Sequence, residues 1–549
     1  MRLSIGIAGA LIAVIAHTVS CSQPSLGPHA SSRTLTFTGL AGEPDSLNPL
    51  ISTLSDVYDF SHLYISSLLE VDDRGRLIPE IASVVPTTAN GGISRDGLTI
   101  TYHLRPGIKW QDGAALTSRD VLFTYRAIMN PKNNVPTRTG YDRIASVKTP
   151  DALTVVVHLG KPFSPILAYF EAAQGITGIL PAHVLEHYAD INRVPFNVKP
   201  IGSGPYRVIE WQHGDHITLE ANPLYWRGKL RIHRIVYKIV PDHHTQLQQL
   251  KTHEVDAYFN VDPQLLPEVR NVPGLTVTLT PIPDFHYLHF NLRDPIVGDA
   301  RVRRAIALAV DRSKLILAAT HGAGIAVDGD QSVLSWAYDA RLPHLPYDPE
   351  AARRLLADAG WKTMANGIRA KSGVPLTVQL AIAPVLVGGS RLAALVVQED
   401  LRAVGVDVRI KEYPASLLWA TAQSGGPLMS GHYQLAYNAW WVLGPDPDDS
   451  WNFACDQMPP AGQNMYFWCN ARANSAIYDA LTTFDIERRK RDYSVVQHEL
   501  IRDLPLLPLW QVKRPDAYTP RLKGVSPSPA GSTFWNAWSW GFTEKPHKG

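Results

Sequence analysis

After the first sixteen residues, no segment is long and apolar enough to cross a membrane, for which roughly 20 apolar residues are needed. No basic run and no basic-aromatic patch occurs, and the formal net charge is only +2. That balance argues against nucleic acid as a partner. The chain has no G-x-S-x-G, no P-loop and no dinucleotide-binding glycine fingerprint, so nucleophile-elbow, phosphate-loop and nicotinamide chemistry lack their usual signatures. No repeat of solenoid or propeller length appears. Cysteine is scarce, at 3 in 549 residues.

What is present begins at the amino end. Met1 and Arg2 precede "LSIGIAGALIAVIA", Leu3 to Ala16. A basic start and a short apolar stretch form a secretory signal. The stretch ends "HTVSCSQPS", and this junction resembles a bacterial lipoprotein signal, with Cys21 as the acylated residue. The alternative is cleavage nearby without lipid. Residues 1–20 then form the signal, and residues 21–32, rich in Ser, Pro and Gly, form a flexible tether. The exported body exceeds 500 residues, and single cores stop growing at about 250–300 residues, so two or three lobes are expected. The remaining cysteines, Cys455 and Cys469, bracket "DQMPPAGQNMYFW". In an oxidising compartment they fit a disulfide closing that loop, with two buried free thiols as the other reading.

Periodicity gives a mixed chain. "TLTFTG", "DALTVVVHL", "GPYRVIEW", "HITLEAN" and "RIVYKIV" read as strands. "GLTITYHLR" and the short run "IKW", flanked by turns, read as a hairpin. Thr117 and Asp120 open a helix with a capping box. "SDVYDFSHLYISSLLE" carries apolar residues at helical spacing, and "LTVTLTPI" and "FHYLHFNL" read as two strands. From Asp299 onward helices alternate with strands, and "PLTVQLAIA", "RLAALVVQEDLRAVG" and "GVDVRIKEY" form a βαβ pattern.

One short motif points to an enzyme. His183, Glu186 and His187 spell H-x-x-E-H, the inverted zinc-peptidase pattern. Two histidines at i, i+4 share a helix face, as zinc requires. The motif is short in a chain of 20 histidines, and no third ligand is marked downstream. A surface helix after Pro181 with solvated histidines is the plainer reading, and a zinc peptidase is a remote alternative.

An ordered set of segments is more specific. "EPDSLNPLIS", "LLEVDDRGRLIPEIA", "DGLTITYHLRPGIKWQDGAALTSRDVLFTY", "GSGPYRVIEWQHGDHITLEANPLYWRGK", "HFNLRDPIVGDARVRRAIALAVDRSKLI", "YDPEAARRLLADAGW" and "RRKRDYSVVQHELIRDLPLLPLW" follow one another along nearly the whole mature chain. Together they resemble the family 5 solute-binding proteins of oligopeptide, dipeptide and nickel ABC importers. The resemblance implies an α/β periplasmic-binding-protein type II fold: two lobes around a hinged cleft, with an extra inserted lobe. Carried onto this chain, residues 33–70, 200–283 and 510–549 form lobe I, residues 71–199 the inserted lobe, and residues 284–509 the ligand-closing lobe III.

The resemblance also implies candidate ligand contacts. Trp440 and Trp441 in "AYNAWWVLGPDPDD" end a cleft-wall strand, whose alternation turns only one of them to the cleft. Peptide binders of the family often place an aspartate shortly after this point to pair with the peptide's α-ammonium. Matching Asp446-Pro447 without gaps puts Leu443 there, and leucine cannot pair with a cation. Asp446, Asp448 or Asp449 remain as acids within reach, although the pair Asp448-Asp449 reads as solvated in a polar loop. Ser46, Leu47 and Asn48 are expected at the cleft floor, with backbone groups pairing with an extended ligand. Along "DFHYLHFNL", His286, Leu288 and Phe290 share one face and Tyr287, His289 and Asn291 the other. Tyr287 and Asn291 are the candidates for the cleft, and the histidines suit either core packing or a metal chelate.

The sequence therefore predicts a non-catalytic binding protein without a cofactor or resident metal. It captures oligopeptides or dipeptides at the periplasmic or extracellular face of the cytoplasmic membrane, lipid-anchored and monomeric. ABC permease subunits are its expected partners. A nickel or other metal chelate, or an oligosaccharide, is the alternative cargo.

Overall fold

The computed structural model describes residues 33–40, 42–170, 178–384, 389–441, 445–529 and 532–543, with the backbone alone for Ser55, Trp440 and Trp441. The expected signal, the tether, Cys21 and Leu443 lie outside the described residues.

Two long antiparallel strands, Thr276–Phe290 and Leu506–Tyr518, run through the middle of an eleven-stranded mixed sheet. On one side follow Ala257–Tyr258, Thr34–Thr38, Arg234–Lys238, His216–Ala221 and Tyr206–Gln212. On the other follow Leu435–Trp441, Thr377–Ile382 and Asp407–Glu412. The strand Gly324–Ala326 pairs with Leu506–Tyr518 off this path.

The central ladder is not continuous. Thr276 to Pro281 pair with Tyr518 back to Lys513; the register then shifts, resumes at Phe285 opposite Gln511, and shifts again after His286. Pro281 and Pro283 explain part of this, because proline brings no N–H to a ladder and sits at bulges. Strand Leu435–Trp441 pairs with Asp284 to Phe290 only, whereas Ala257–Tyr258 pairs with Tyr518 and Ala517. The two ends of the crossing ladder thus extend into different sets of strands.

Two large hydrophobic cores flank this crossing. One gathers Phe37, Phe60, Tyr64, Tyr237, Phe259, Phe534 and Trp540 and continues through residues of the 71–199 segment. The other gathers Leu288, Phe290, Leu315, Leu380, Leu401, Leu435 and Trp510. The crossing strand serves both by alternation, with Phe285 and Tyr287 in the first core and Leu288 and Phe290 in the second. The 71–199 segment carries its own three-stranded sheet of Thr99–His103, Thr154–Leu159 and Ile144–Asp151, against which helix Ser118–Met129 packs. That helix starts with the expected capping box, the Thr117 N–H donating to Asp120 Oδ2 at 2.8 Å. Gly202 and Gly204 pass so close to the backbone of Tyr64 that a Cβ at either would overlap it, so only glycine fits.

Three local expectations are corrected. "IKW" does not pair with "TITYH"; Thr99–His103 takes Thr154–Leu159 instead, and Lys109 meets only Ala115. A strand some fifty residues downstream supplies a longer partner than the turn could. The helix in "SDVYDFSHLYISSLLE" ends at Ser61, and Leu69–Val71 is a strand. "LTVTLTPI" and "FHYLHFNL" form a single 15-residue strand, because the 13-residue partner carries the extended backbone through the proline break.

Candidate ligand site

The point where the ladder changes partner is the natural place for a site joining the two cores. Asp284 stands opposite Trp441, and Phe285 opposite Trp440. The side chains of Trp440 and Trp441 lie outside the described residues. Burial pushes the Asp284 carboxyl up to about 7.

The crossing-strand histidines are packing groups. His286 is stacked on Trp510 at 4.4 Å between ring centres, and its Nδ1 lies 2.5 Å from Tyr437 Oη. His289 is stacked on Tyr287 at 4.8 Å, and Asn438 Nδ2 lies 3.2 Å from its Nε2. Burial lowers both to about 3, so both are neutral at pH 7. Tyr287 is buried and hydrogen-bonds Tyr466. Asn291, at the far end of the strand, gives its amide to Gly431 O at 2.8 Å and Tyr433 O at 2.9 Å.

Ser46, Leu47 and Asn48 are all buried and tied to Asn197. Leu47 N–H donates to Asn197 O at 2.7 Å, and Asn48 Nδ2 to Asn197 Oδ1 at 3.0 Å. Asn48 N–H is used by Ser46 Oγ at 3.0 Å. These groups fasten the loop to the 71–199 segment. Asp446 is likewise engaged: Arg489 donates to both its oxygens, with Nη1 3.0 Å from Oδ2, and stacks over Trp336. Asp446 holds Arg489 charged in a position only 4% exposed. Of the sequence-predicted residues, Tyr287 and the Trp440 and Trp441 backbone lie on the paired strands of the crossing, while Ser46 to Asn48, Asn291 and Asp446 make separate local networks.

The expectation that Asp448-Asp449 is solvated is corrected for Asp449, which is 6% exposed. Gln331 Nε2 lies 3.0 Å from Asp449 Oδ1 and 2.9 Å from Asp330 Oδ2, bridging the two acids. The segment bearing Gln331 is itself pinned to the crossing, since Gln511 Nε2 donates to Ser332 Oγ at 2.8 Å and to Ile282 O at 2.9 Å. Asp284, Asp330, Gln331 and Asn452 carried no signal in the sequence, because their burial comes from segments far apart in the chain.

Cys455 and Cys469 are joined by a disulfide. The H-x-x-E-H residues are exposed and partnered apart: His183 Nε2 lies 2.7 Å from Asp112 Oδ2, and Glu186 pairs with Arg119 at 2.5 Å. The helix there spans only Ala182–Leu185, ending before His187. Among the described residues, no group of three or more His, Cys, Asp or Glu is placed to hold a metal ion, and no helix is long and apolar enough to cross a membrane.

Residues 83–458 match the family described as "Bacterial extracellular solute-binding proteins, family 5 Middle". The oligopeptide-binding protein AppA of Bacillus subtilis is 28% identical over 500 residues, covering 89% of this chain and 88% of that protein. Two solved structures are similar over 93% of this chain. NikZ from Campylobacter jejuni, in complex with Ni(L-His), has a TM-score of 0.73 at 26% identity, covered in full. Bacillus subtilis AppA, in complex with a nonapeptide, has a TM-score of 0.70 at 25% identity and is 99% covered.

Proposed function

The chain belongs to the family 5 bacterial extracellular solute-binding proteins, and on that premise we propose that it captures short peptides outside the cytoplasmic membrane and delivers them to an ABC permease. It has the type II periplasmic-binding fold of that family, whose members bind cargo for transporters and are not enzymes. The observation that carries the reading is the bulged crossing ladder between two separate cores. A pair of strands with slipped register is a compliant joint, and ligand sites favour such inter-lobe clefts. A peptide touching both lobes only when they close shifts the population toward the closed form.

We assign residues 33–70, 200–283 and 510–549 to lobe I, residues 71–199 to the inserted lobe and residues 284–509 to lobe III. The change of strand partner at Asp284 supports the boundary between lobes I and III. We further propose acylation at Cys21, with the following residues as a tether, and a monomeric body. Trp440 or Trp441 lines the cleft in this reading.

Nickel chelate is the second reading, favoured by the likeness to the NikZ complex. The burial of His286 and His289 and their stacking on Trp510 and Tyr287 weigh against it. Thermal unfolding with a tripeptide-to-pentapeptide mixture, and separately with nickel plus L-histidine, separates the two. A ligand at one hundred times its Kd stabilises the folded state by about 2.7 kcal/mol. Stabilisation by peptides alone is the expected result; stabilisation by nickel–histidine alone would replace peptide with chelate.

A further inference from the structure

We propose that residues 162–170 of the inserted lobe and residues 471–484 of lobe III form a latch, a contact that holds the cleft shut and adds to cargo affinity without touching the cargo. The inference rests on the lobe assignment and the peptide-binding reading above. Pro162 and Pro165 keep "KPFSPILAYF" from extending a strand or a long helix, and the segment folds as one short 3₁₀ helix, Ser164–Phe170. Its Ser164, 1% exposed, donates from Oγ to Ala480 O at 2.9 Å, across 316 residues of sequence. Ala480 lies in the last turn of helix Ala471–Leu481, where backbone carbonyls lack a partner within the helix. A buried carbonyl of lobe III thus takes its donor from the inserted lobe.

Apolar side chains surround this bond. Ile166 and Leu167 on one side, and Ile477 and Leu481 on the other, are buried in the same core, and the two helices pack against each other. Phe484, just past the end of the longer helix, reaches Gly97 of the inserted lobe: a Cβ there would stand 3.0 Å from the Phe484 ring and 3.4 Å from Pro162. Burial first, then the Asp448 charge, raises the Tyr169 phenol, so the contact adjoins the loop that follows strand Leu435–Trp441.

The contact has what a latch needs. Under the lobe assignment, lobe III joins the rest of the chain only at the bulged crossing ladder. When that joint bends, any other contact between the two bodies must part or slide. Each side is supported without it. The inserted lobe has its own three-stranded sheet. Helix Ala471–Leu481 packs on helix Ile486–Asp503, which Arg303 ties to lobe III through Asp503 O at 2.7 Å. Parting therefore exposes apolar surface and one carbonyl but unfolds neither side. Burying that surface favours the closed form, and apparent affinity scales with the fraction of molecules in the binding form. A latch thus changes the affinity of every cargo by one common factor.

The test uses the exported protein, freed of bound cargo by unfolding and refolding, as wild type, Ser164→Ala and Phe484→Ala. Hydrogen exchange is read by mass spectrometry with and without a tripeptide-to-pentapeptide mixture, and binding of several dissimilar peptides by calorimetry. In wild type, the amides of residues 164–170 and 471–481 should exchange more slowly once peptide is added. Phe484→Ala should speed exchange in both segments together. It should also weaken every peptide by the same factor, at least about fivefold, the low end of usual coupling between sites. Ser164→Ala should do the same to a smaller extent. Circular dichroism establishes that each variant is folded. Equal protection with and without peptide, together with wild-type affinity in both variants, would make the contact a fixed joint and refute the latch while peptide binding stands. A loss that differs from peptide to peptide would make Phe484 a cargo contact and refute the latch as well. If wild type binds no peptide, the peptide reading fails, and small-angle scattering of the ligand-free protein decides the latch alone. A larger radius of gyration in Phe484→Ala supports it, and an unchanged one refutes it.

Discussion

His62 is buried beside Glu70, its Nε2 3.5 Å from Glu70 Oε2. Burial alone would depress the imidazole, but the Glu70 charge and hydrogen bond, with Asp59 behind them, lift it to about 9. The folded value lies above the unfolded one, near 6.5. The stabilisation is therefore complete below about pH 6.5 and is lost as pH rises through 9. Its size is about 3 kcal/mol at most, at 1.36 kcal/mol for each pKa unit. Urea midpoints measured from pH 6 to 10 should fall across that window, and His62→Gln should flatten the fall. The Asp446–Arg489 pair gives a second expectation at this scale. Arg489→Met leaves a buried carboxylate without its cation and should cost about 3–5 kcal/mol. Adding Asp446→Leu should restore much of the loss, which a double-mutant cycle in denaturant would read. Neither pair was legible from local sequence. Asp446 finds its partner 43 residues away, and Asp449 its bridging amide 118 residues away, so the pair Asp448-Asp449 read as solvated although packing had closed over Asp449.

Elements whose causes are local were readable. The Thr117–Asp120 capping box and the parallel βαβ unit from Thr377–Ile382 through Ser390–Ala403 to Asp407–Glu412 follow from residues close in sequence. The hairpin expected at "IKW" and the split of the crossing strand failed for the opposite reason. Strand pairing is decided by partners at long range, and the 13-residue strand at the carboxyl end straightens a proline-broken segment more than 200 residues earlier. The loop closed by Cys455 and Cys469 spans a separation of 14 residues and carries Tyr466 and Trp468 into the first core. Closing a loop of this size contributes about 3 kcal/mol in the chain-entropy view. The double variant Cys455→Ser/Cys469→Ser should lose about that much in denaturant unfolding, and a reducing agent should produce the same loss in wild type. An unchanged midpoint under reduction would show that packing alone holds the loop.

At the scale of the molecule, the family and its fold were legible because many weak segments recur in one order along the chain. The ligand was not, because it depends on a few side chains brought together at the crossing. The first described strand, Thr34–Thr38, sits inside the sheet between Ala257–Tyr258 and Arg234–Lys238. A tether ending at residue 32 would therefore lead directly into the body it anchors. Cys21→Ser should move the protein from the detergent phase to the aqueous phase in a detergent-partition assay and leave its unfolding midpoint unchanged. The central claim, capture of peptides in a cleft between two lobes, is tested most directly by native mass spectrometry of the purified protein with the released cargo fragmented. A series of excess masses that fragment as short peptides is the expected result. A single non-peptide mass, or a nickel chelate, would contradict it.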